Sequence, residues 1–213
     1  MQIYRNRRKD IKPTMEGQNK SLFQLFVPLC LETIFYMLSG MVDTLMLSSV
    51  GDQAVGAVGT ANTYIGVFII MYSVVSMGML AVMTQNIGAG RPGIACQAKT
   101  LGLWFNGILG VVMSVFLFFC SDGILYVVGI APALKEPAVQ YLRIVGGGSI
   151  LNAMIPILAG YLRAFGYTKQ PLIATVTGNI LNFILNAVFL FRFHLGVQGV
   201  ASATVISKVV NLI

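Results

Sequence analysis

The sequence has few charged residues and few of the side chains on which enzymes depend. Only 10% of its 213 residues are charged and 56% are hydrophobic, whereas soluble domains carry roughly 25% charged residues. So few charges cannot cover a surface that faces water, so lipid must solvate much of the chain. The one histidine stands alone, and the three cysteines, Cys30, Cys96 and Cys120, are far apart. Their spacing matches no metal site or redox pair and predicts apolar packing for each sulfur.

Motifs of the common enzyme classes are also missing. No phosphate-binding Gly-Lys loop, histidine cluster or Gly-x-Ser-x-Gly turn occurs. An intramembrane protease needs two acids on facing helices or a Ser–His pair, whereas Glu32 and Asp43 share one apolar segment. The net charge of +7 comes from lysines and arginines at the ends of apolar runs, not from a basic patch among polar residues. We therefore predict neither an enzyme nor a nucleic-acid-binding protein.

Six long apolar runs follow a basic N-terminal stretch. We predict a basic cytoplasmic tail over residues 1–20 and an all-α, polytopic transmembrane helix bundle of six spans over residues 21–213. The first five runs reach the ~20 residues that cross a hydrocarbon core, and the alternation of a barrel strand is absent. The runs cover residues 22–48, 54–87, 101–120, 142–161, 171–191 and 197–213. The last run is short and reaches the chain end, so we expect a longer protein truncated in its last helix.

The positions of lysine and arginine predict the orientation. With the N-terminus inside, ten of the fourteen basic residues fall in the tail and in the loops after the second and fourth runs. Cytoplasmic loops of membrane proteins carry such an excess. We therefore predict a multi-pass protein of the cell membrane with a cytoplasmic N-terminus. The longest outer loop is expected over residues 121–140, with a short interfacial helix inside it.

Two acids in the first run are candidates for function, because ionisable side chains inside a membrane are costly. Asp43 lies eleven residues after Glu32. Eleven helical steps of about 100° leave an offset of only ~20°, so both carboxylates share a face, about 16 Å apart along the axis. This acidic stripe is expected to face the bundle interior or a water-filled cavity.

Three asparagines in the fifth run form a second polar stripe. Asn179, Asn182 and Asn186 stand at i, i+3 and i+7 and therefore share a face, which Thr175 extends by one turn. Amide and carboxylate oxygens are hard ligands, suited to Na⁺ or to a proton relay. The alternative is that the asparagines only hydrogen-bond helices together. Three on one stripe, with a membrane aspartate elsewhere, favour a functional role.

Several segments resemble the MATE (multidrug and toxin extrusion) family. VDTLMLSSVGDQAVGAVGTAN is similar to its Asp-containing first helix and the entry to the second. TQNIGAGRPGIACQAKT is similar to the loop before helix three, and YLRAFGYTKQP to the loop before helix five. GNILNFILNAVFLF, followed by GVQGVASATVIS, is similar to helices five and six. These segments occur in the family's order and cover nearly the whole chain.

The resemblance implies one six-helix lobe of a twelve-helix transporter, here the amino-terminal one, with a second lobe as its partner. It implies export of cationic, amphipathic compounds across a bacterial inner membrane in exchange for Na⁺ or H⁺, with no other metal or cofactor. The family's cation site falls on Asp43, Asn182, Asn186 and Thr204. Asn186 stands where part of the family has an aspartate, which leaves Asp43 as the main titrating group. Glu32, Asn179 and Thr175 are the accessory polar candidates.

Two other functions stay open at this point. The first is a related flippase for lipid-linked oligosaccharides, which would line its cavity with basic residues for anionic phosphate. Apart from Arg143 at the start of the fourth run, the first five spans show no lysine or arginine, which favours cationic or neutral cargo. The second is a membrane assembly module that transports nothing, in which Asp43 and the asparagine stripe would be replaceable.

Overall fold

The computed structural model describes residues 22–212 of the chain, and helices make up nearly all of this range. No strand occurs within the described residues, which confirms the predicted all-α bundle. The predicted basic tail, residues 1–20, lies outside them. The helices are α1 Leu22–Ser48, α2 Asp52–Gly88, α3 Pro92–Val128, α4 Pro132–Gly147, α5 Ser149–Ala164, α6 Lys169–Ala187 and α7 Gly196–Leu212, and a π-helical turn, Val188–Arg192, extends α6.

The outer loop predicted over residues 121–140 is wrong. α3 continues to Val128, and α4 begins at Pro132. Gly129 adopts the left-handed conformation (φ 73°) that ends many helices. Proline fits the first turn of the next helix, since its missing N–H would have no helical partner there. The expected loop is therefore reduced to residues 129–131, and most of it belongs to two helices that pack on each other.

The fourth predicted span is longer than residues 142–161 and consists of two helices that meet at an angle. α4 and α5 bend by 43° where they meet at Gly148. A Cβ at Gly146 would lie 2.8 Å from the Cβ of Leu117, and one at Gly148 would lie 3.2 Å from a methyl of Val205. A side chain at Gly146 would overlap Leu117, and one at Gly148 would require Val205 to shift by a few tenths of an ångström. The glycine run therefore lets the broken span pack tightly against α3 and α7.

The surface of the bundle is apolar, as expected of a protein solvated by lipid. Large side chains such as Phe119 and Val127 are 72% and 84% exposed. Four helices are long and apolar enough to cross a membrane: α1, α2, α3 and α6 with its π-helical turn. The bent α4–α5 pair, counted as one span, meets the same criterion and brings the number to five. α7 has 17 residues, so a sixth span stays a prediction. α1 packs chiefly on α6, and this contact creates the site described next.

Candidate functional site

A chain of side-chain hydrogen bonds joins α1 to α6. The amide nitrogen of Asn186 donates to the Oδ1 atom of Asp43 at 2.6 Å. The same nitrogen lies 3.2 Å from the Oδ1 atom of Asn182, one turn earlier on α6. Asn186 is fully buried and Asn182 nearly so, whereas Asp43 is partly buried. Three of the four residues predicted for the cation site are therefore in one hydrogen-bonded cluster.

The asparagine stripe is buried because α6 lies between two other helices. Gly178, Asn182 and Asn186 recur every four residues and are the buried members of their face. A Cβ at Gly178 would lie 3.2 Å from the side-chain amide nitrogen of Asn211 on α7. The glycine thus allows α7 to pack closely against α6, while α1 covers the neighbouring side. The amides are enclosed between these helices, away from lipid.

Thr204, the fourth predicted residue, is connected to the cluster indirectly. Its hydroxyl donates to the Val200 carbonyl of its own helix at 2.9 Å. The buried Tyr141 side chain on α4 interacts with Thr204 and with Asn62 on α2. It also lies within electrostatic range of the Asp43 charge. The site therefore extends from α1 and α6 to residues of α2, α4 and α7.

The accessory candidates are not part of this cluster. Glu32 pairs with Arg163 at the C-terminal end of α5, at 2.5 Å. Glu32 and Thr175 line a separate cavity of about 460 Å³ at the end of the bundle where α1 begins, together with Lys99, Gln170 and Asn211 among others. The predicted acidic stripe is thus divided between two environments, because Asp43 accepts a hydrogen bond from Asn186 on α6, whereas the side chain of Glu32 reaches Arg163 at the end of α5.

Asn179 has the structural role that was the alternative for the stripe. Its amide nitrogen donates to the backbone carbonyl of Phe35 at 2.8 Å. The bond joins α6 to α1 between the two acidic positions and satisfies a polar group in an apolar surrounding.

Three further residues lie at the site but were not predicted from the sequence as site residues. Asn62, Tyr141 and Lys208 lie on α2, α4 and α7, and opposite charges on Lys208 and Asp43 act on each other. The only sequence signal for Lys208 is a basic residue four positions after Thr204, inside an apolar run. No such signal marks Tyr141, since a single tyrosine in an apolar helix is usually a packing residue.

The chemistry available to the cluster is that of reversible cation binding. Asp43 supplies one carboxylate, and the Oδ1 atom of Asn186 is buried without a hydrogen-bond donor among the described residues. A carboxylate and a vacant amide acceptor suit a proton or a monovalent cation. Within residues 22–212 no group of three or more His, Cys, Asp or Glu side chains comes together. A helical membrane protein with such a polar site inside its bundle has the architecture of a secondary transporter.

Comparison with known proteins identifies the family. The sequence model of the MatE family matches residues 28–188, and the chain belongs to this family. It is 34% identical to the uncharacterized transporter YisQ of Bacillus subtilis, over 91% of this chain and 43% of YisQ. It is 30% identical to the probable multidrug resistance protein NorM of Thermotoga maritima, over 90% of this chain and 42% of that protein.

The fold agrees with this assignment. A MOP superfamily transporter from Pyrococcus furiosus, whose structure is described as having a binding pocket of reverse polarity, superposes with a TM-score of 0.83 at 25% identity. The superposition covers 89% of this chain and 42% of that structure. The chain therefore spans less than half the length of the relatives that it matches. It corresponds to their N-terminal half, as the sequence resemblance predicts.

Proposed function

We propose that this chain is the amino-terminal lobe of a transporter that exports organic cations in exchange for H⁺ or Na⁺. A second six-helix lobe of the same protein is the partner that closes the substrate pathway. The protein resides in the cell membrane with its N-terminus in the cytoplasm, as the distribution of lysine and arginine predicts. Asp43 is the group that binds the coupling ion.

The observation that carries this proposal is the environment of Asp43. Two ion pairs are formed among the described residues, Lys135 with Asp122 and Arg163 with Glu32, and Asp43 is in neither. Its carboxylate is held instead by the neutral amide of Asn186. A partly buried carboxylate that is held by a neutral amide, with no cation in direct contact, is a site at which a proton or a mobile cation binds favourably.

Exchange requires that the cationic cargo and the coupling ion do not occupy the site at the same time. A cationic cargo is attracted by the ionised carboxylate, and the coupling ion neutralises it. The cargo then loses its electrostatic attraction and leaves to the outside. The transporter then returns to the inward-facing state without cargo but with the ion bound. Release of the ion to the cytoplasm restores the ionised carboxylate. Coupling rests on the different affinity of each ligand for the two conformations.

Efflux of ethidium from cells tests the proposal, with the complete protein that contains this chain. Expression is expected to lower dye accumulation in energised cells, and collapse of the ion gradients is expected to abolish the difference. Asp43→Asn keeps the size of the side chain and removes its charge, so it is expected to abolish efflux. Asp122→Asn is the matched control, because Asp122 is exposed at the surface. Equal efflux by Asp43→Asn and the control would place the coupling site elsewhere.

A flippase for lipid-linked oligosaccharides is the second candidate. Two observations favour it. Lys208 places a positive charge near the site, and a pocket of reverse polarity is described for the Pyrococcus furiosus transporter. A flippase would move an anionic lipid-linked sugar in reconstituted vesicles and would leave ethidium untouched. A third candidate, a module that transports nothing, predicts no gradient-dependent movement of either compound.

A further inference from the structure

We propose that Lys208 selects the coupling ion: its ammonium group is a built-in counter-cation for Asp43, which excludes Na⁺ and leaves H⁺ as the ion exchanged. This inference rests on the proposed function and specifies it. It concerns a residue that lies one turn beyond Thr204 on α7.

The packing of α6 against α7 fixes the level of Lys208. A Cβ at Gly178 would contact the side-chain amide of Asn211 at 3.2 Å and the carbonyl of Ser207 at 3.5 Å. The two helices are antiparallel, since only a short connection separates them. Side chains of a helix lean towards its N-terminus. The stem of Lys208 therefore extends from the level of Gly178 towards the asparagine cluster.

The face of α7 that carries Lys208 is the one that meets the site. Thr204, Lys208 and Asn211 stand at i, i+4 and i+7 and share a face. Asn211 at one end of this face contacts α6, and Thr204 at the other end interacts with Tyr141 of α4. Lys208 lies between these two contacts and is partly buried. Its charge and that of Asp43 attract each other, although the pair forms no salt bridge.

The charged and titratable groups around the site balance without a metal ion. α1 contributes Asp43 and Tyr36, α4 contributes Tyr141, and α7 contributes Lys208. The neighbouring side chains that α2 and α6 contribute are amides. One carboxylate and one ammonium give a net charge of zero. A Na⁺ ion coordinated by Asp43 would add a second positive charge beside the ammonium group of Lys208, with one carboxylate to compensate both. This is unfavourable in an environment of low dielectric constant.

A proton can bind Asp43 beside the ammonium group of Lys208, whereas Na⁺ cannot. Na⁺ needs several oxygen ligands at once, and the oxygens of this site include the buried Oδ1 atom of Asn186, which has no donor among the described residues. In this proposal the ammonium group of Lys208, a donor without acceptor capacity, binds these oxygens. A proton needs one lone pair of the carboxylate. Once Asp43 is protonated, the site carries the positive charge of Lys208 alone. That charge then repels a cationic cargo, so a single protonation both removes the attraction and adds a repulsion.

The decisive measurement is thermal unfolding of the purified complete protein in NaCl and in choline chloride, because it requires no transport. The wild type is expected to show no saturable stabilisation by Na⁺. Lys208→Met keeps the length of the apolar stem and removes the charge, so it is expected to gain a saturable, Na⁺-specific shift in Tm, with Na⁺ affinity raised by about tenfold or more. Lys135→Met is the control, because Lys135 pairs with Asp122 at the surface. It is expected to behave as the wild type.

Addition of Asp43→Asn to Lys208→Met is expected to abolish the gained response, which would locate the Na⁺ at this carboxylate. A saturable Na⁺ shift in the wild type, or a folded Lys208→Met protein without one, would overturn the inference. If Lys208→Met does not fold, Lys208→Gln replaces it. If neither variant folds, the wild type decides, since Na⁺ stabilisation in the presence of Lys208 contradicts the exclusion and its absence agrees with it. Failure of ethidium efflux would refute the proposed function and leave this binding result unchanged.

Discussion

The side-chain amide of Asn186 on α6 donates a hydrogen bond to the carboxylate of Asp43 on α1, at 2.6 Å. This bond joins the outermost helix of the bundle to the helix on which it chiefly packs. Any ligand that competes for the Asp43 carboxylate acts directly on the contact between these two helices. If Asp43 binds the coupling ion as proposed, ion binding is expected to affect the packing of α1 on α6 through this pair of side chains.

Asn186→Ala tests this link. The substitution leaves the carboxylate without its donor, and hydrogen bonds to charged groups contribute about 1.5–3 kcal/mol. We expect lower thermal stability of the complete protein and loss of gradient-driven ethidium efflux. Asn86→Ala is the matched control, because the amide of Asn86 donates only to the Val82 carbonyl of its own helix. Unchanged stability and efflux in Asn186→Ala would show that the bond has no role in coupling.

The ion pair of Glu32 with Arg163 is expected to serve stability more than coupling. The two side chains are 16% and 27% exposed, and removal of one partner leaves the other charge poorly compensated. We expect Glu32→Ala and Arg163→Ala each to cost about 1–3 kcal/mol of unfolding free energy, with the double variant well below the sum. Ethidium efflux by Glu32→Gln is expected to keep its gradient dependence. Additive effects in the double-mutant cycle would contradict this interpretation.

Gly110 and Gly107 on α3 form a matched pair for close helix packing. A Cβ at Gly110 would lie 2.9 Å from the backbone Cα of Ile150, whereas at Gly107 nothing lies within 4 Å. Gly110→Ala is expected to destabilise the bundle by about 1–3 kcal/mol through overpacking. Gly107→Ala is expected to be neutral or stabilising by up to about 1 kcal/mol, because alanine favours a helix more than glycine does. Unfolding in detergent measures both, and equal stabilities would refute the packing of α3 on α5.

Cysteine labelling tests the predicted orientation. Ala89 and Ala131 are exposed alanines in the turns at opposite ends of α3. In a background without the native cysteines, a membrane-impermeant maleimide is expected to label Ala131→Cys on intact cells. Ala89→Cys is expected to react only after the cells are permeabilised, because the loop near Arg91 is predicted to be cytoplasmic. The reverse pattern would invert the orientation.

Much of the fold was predictable because membrane helices follow from long apolar runs. The runs that predict α1, α2 and α6 agree with the observed helices to within a few residues. The segment after Cys120 was predicted as a loop, since Asp122, Lys135 and two prolines interrupt its hydropathy. In the structure the two charges pair with each other at 3.2 Å, and both prolines lie within α4. Both charges are at the surface yet belong to helices, so an interruption in hydropathy does not mark the end of a helix here.

The site was predictable in part for a similar reason. Helical spacing alone placed the asparagines on one face, and α6 does bring Asn182 and Asn186 together beside Asp43. The same spacing linked Glu32 to Asp43, but their side-chain partners differ, since Asp43 accepts from Asn186 and Glu32 pairs with Arg163. Tyr141 and Lys208 depend on the packing of α4 and α7, which no periodicity of a single helix contains.

The most direct test of the account is cation-driven ion movement in vesicles that hold the purified complete protein. An inward pulse of tetraphenylphosphonium is expected to drive the coupling ion outward, with H⁺ followed by a trapped pH-sensitive dye and Na⁺ by a Na⁺-sensitive dye. We expect a signal for the wild type and for Asp122→Asn, and none for Asp43→Asn. An equal signal from Asp43→Asn would contradict the claim that this carboxylate couples the two fluxes.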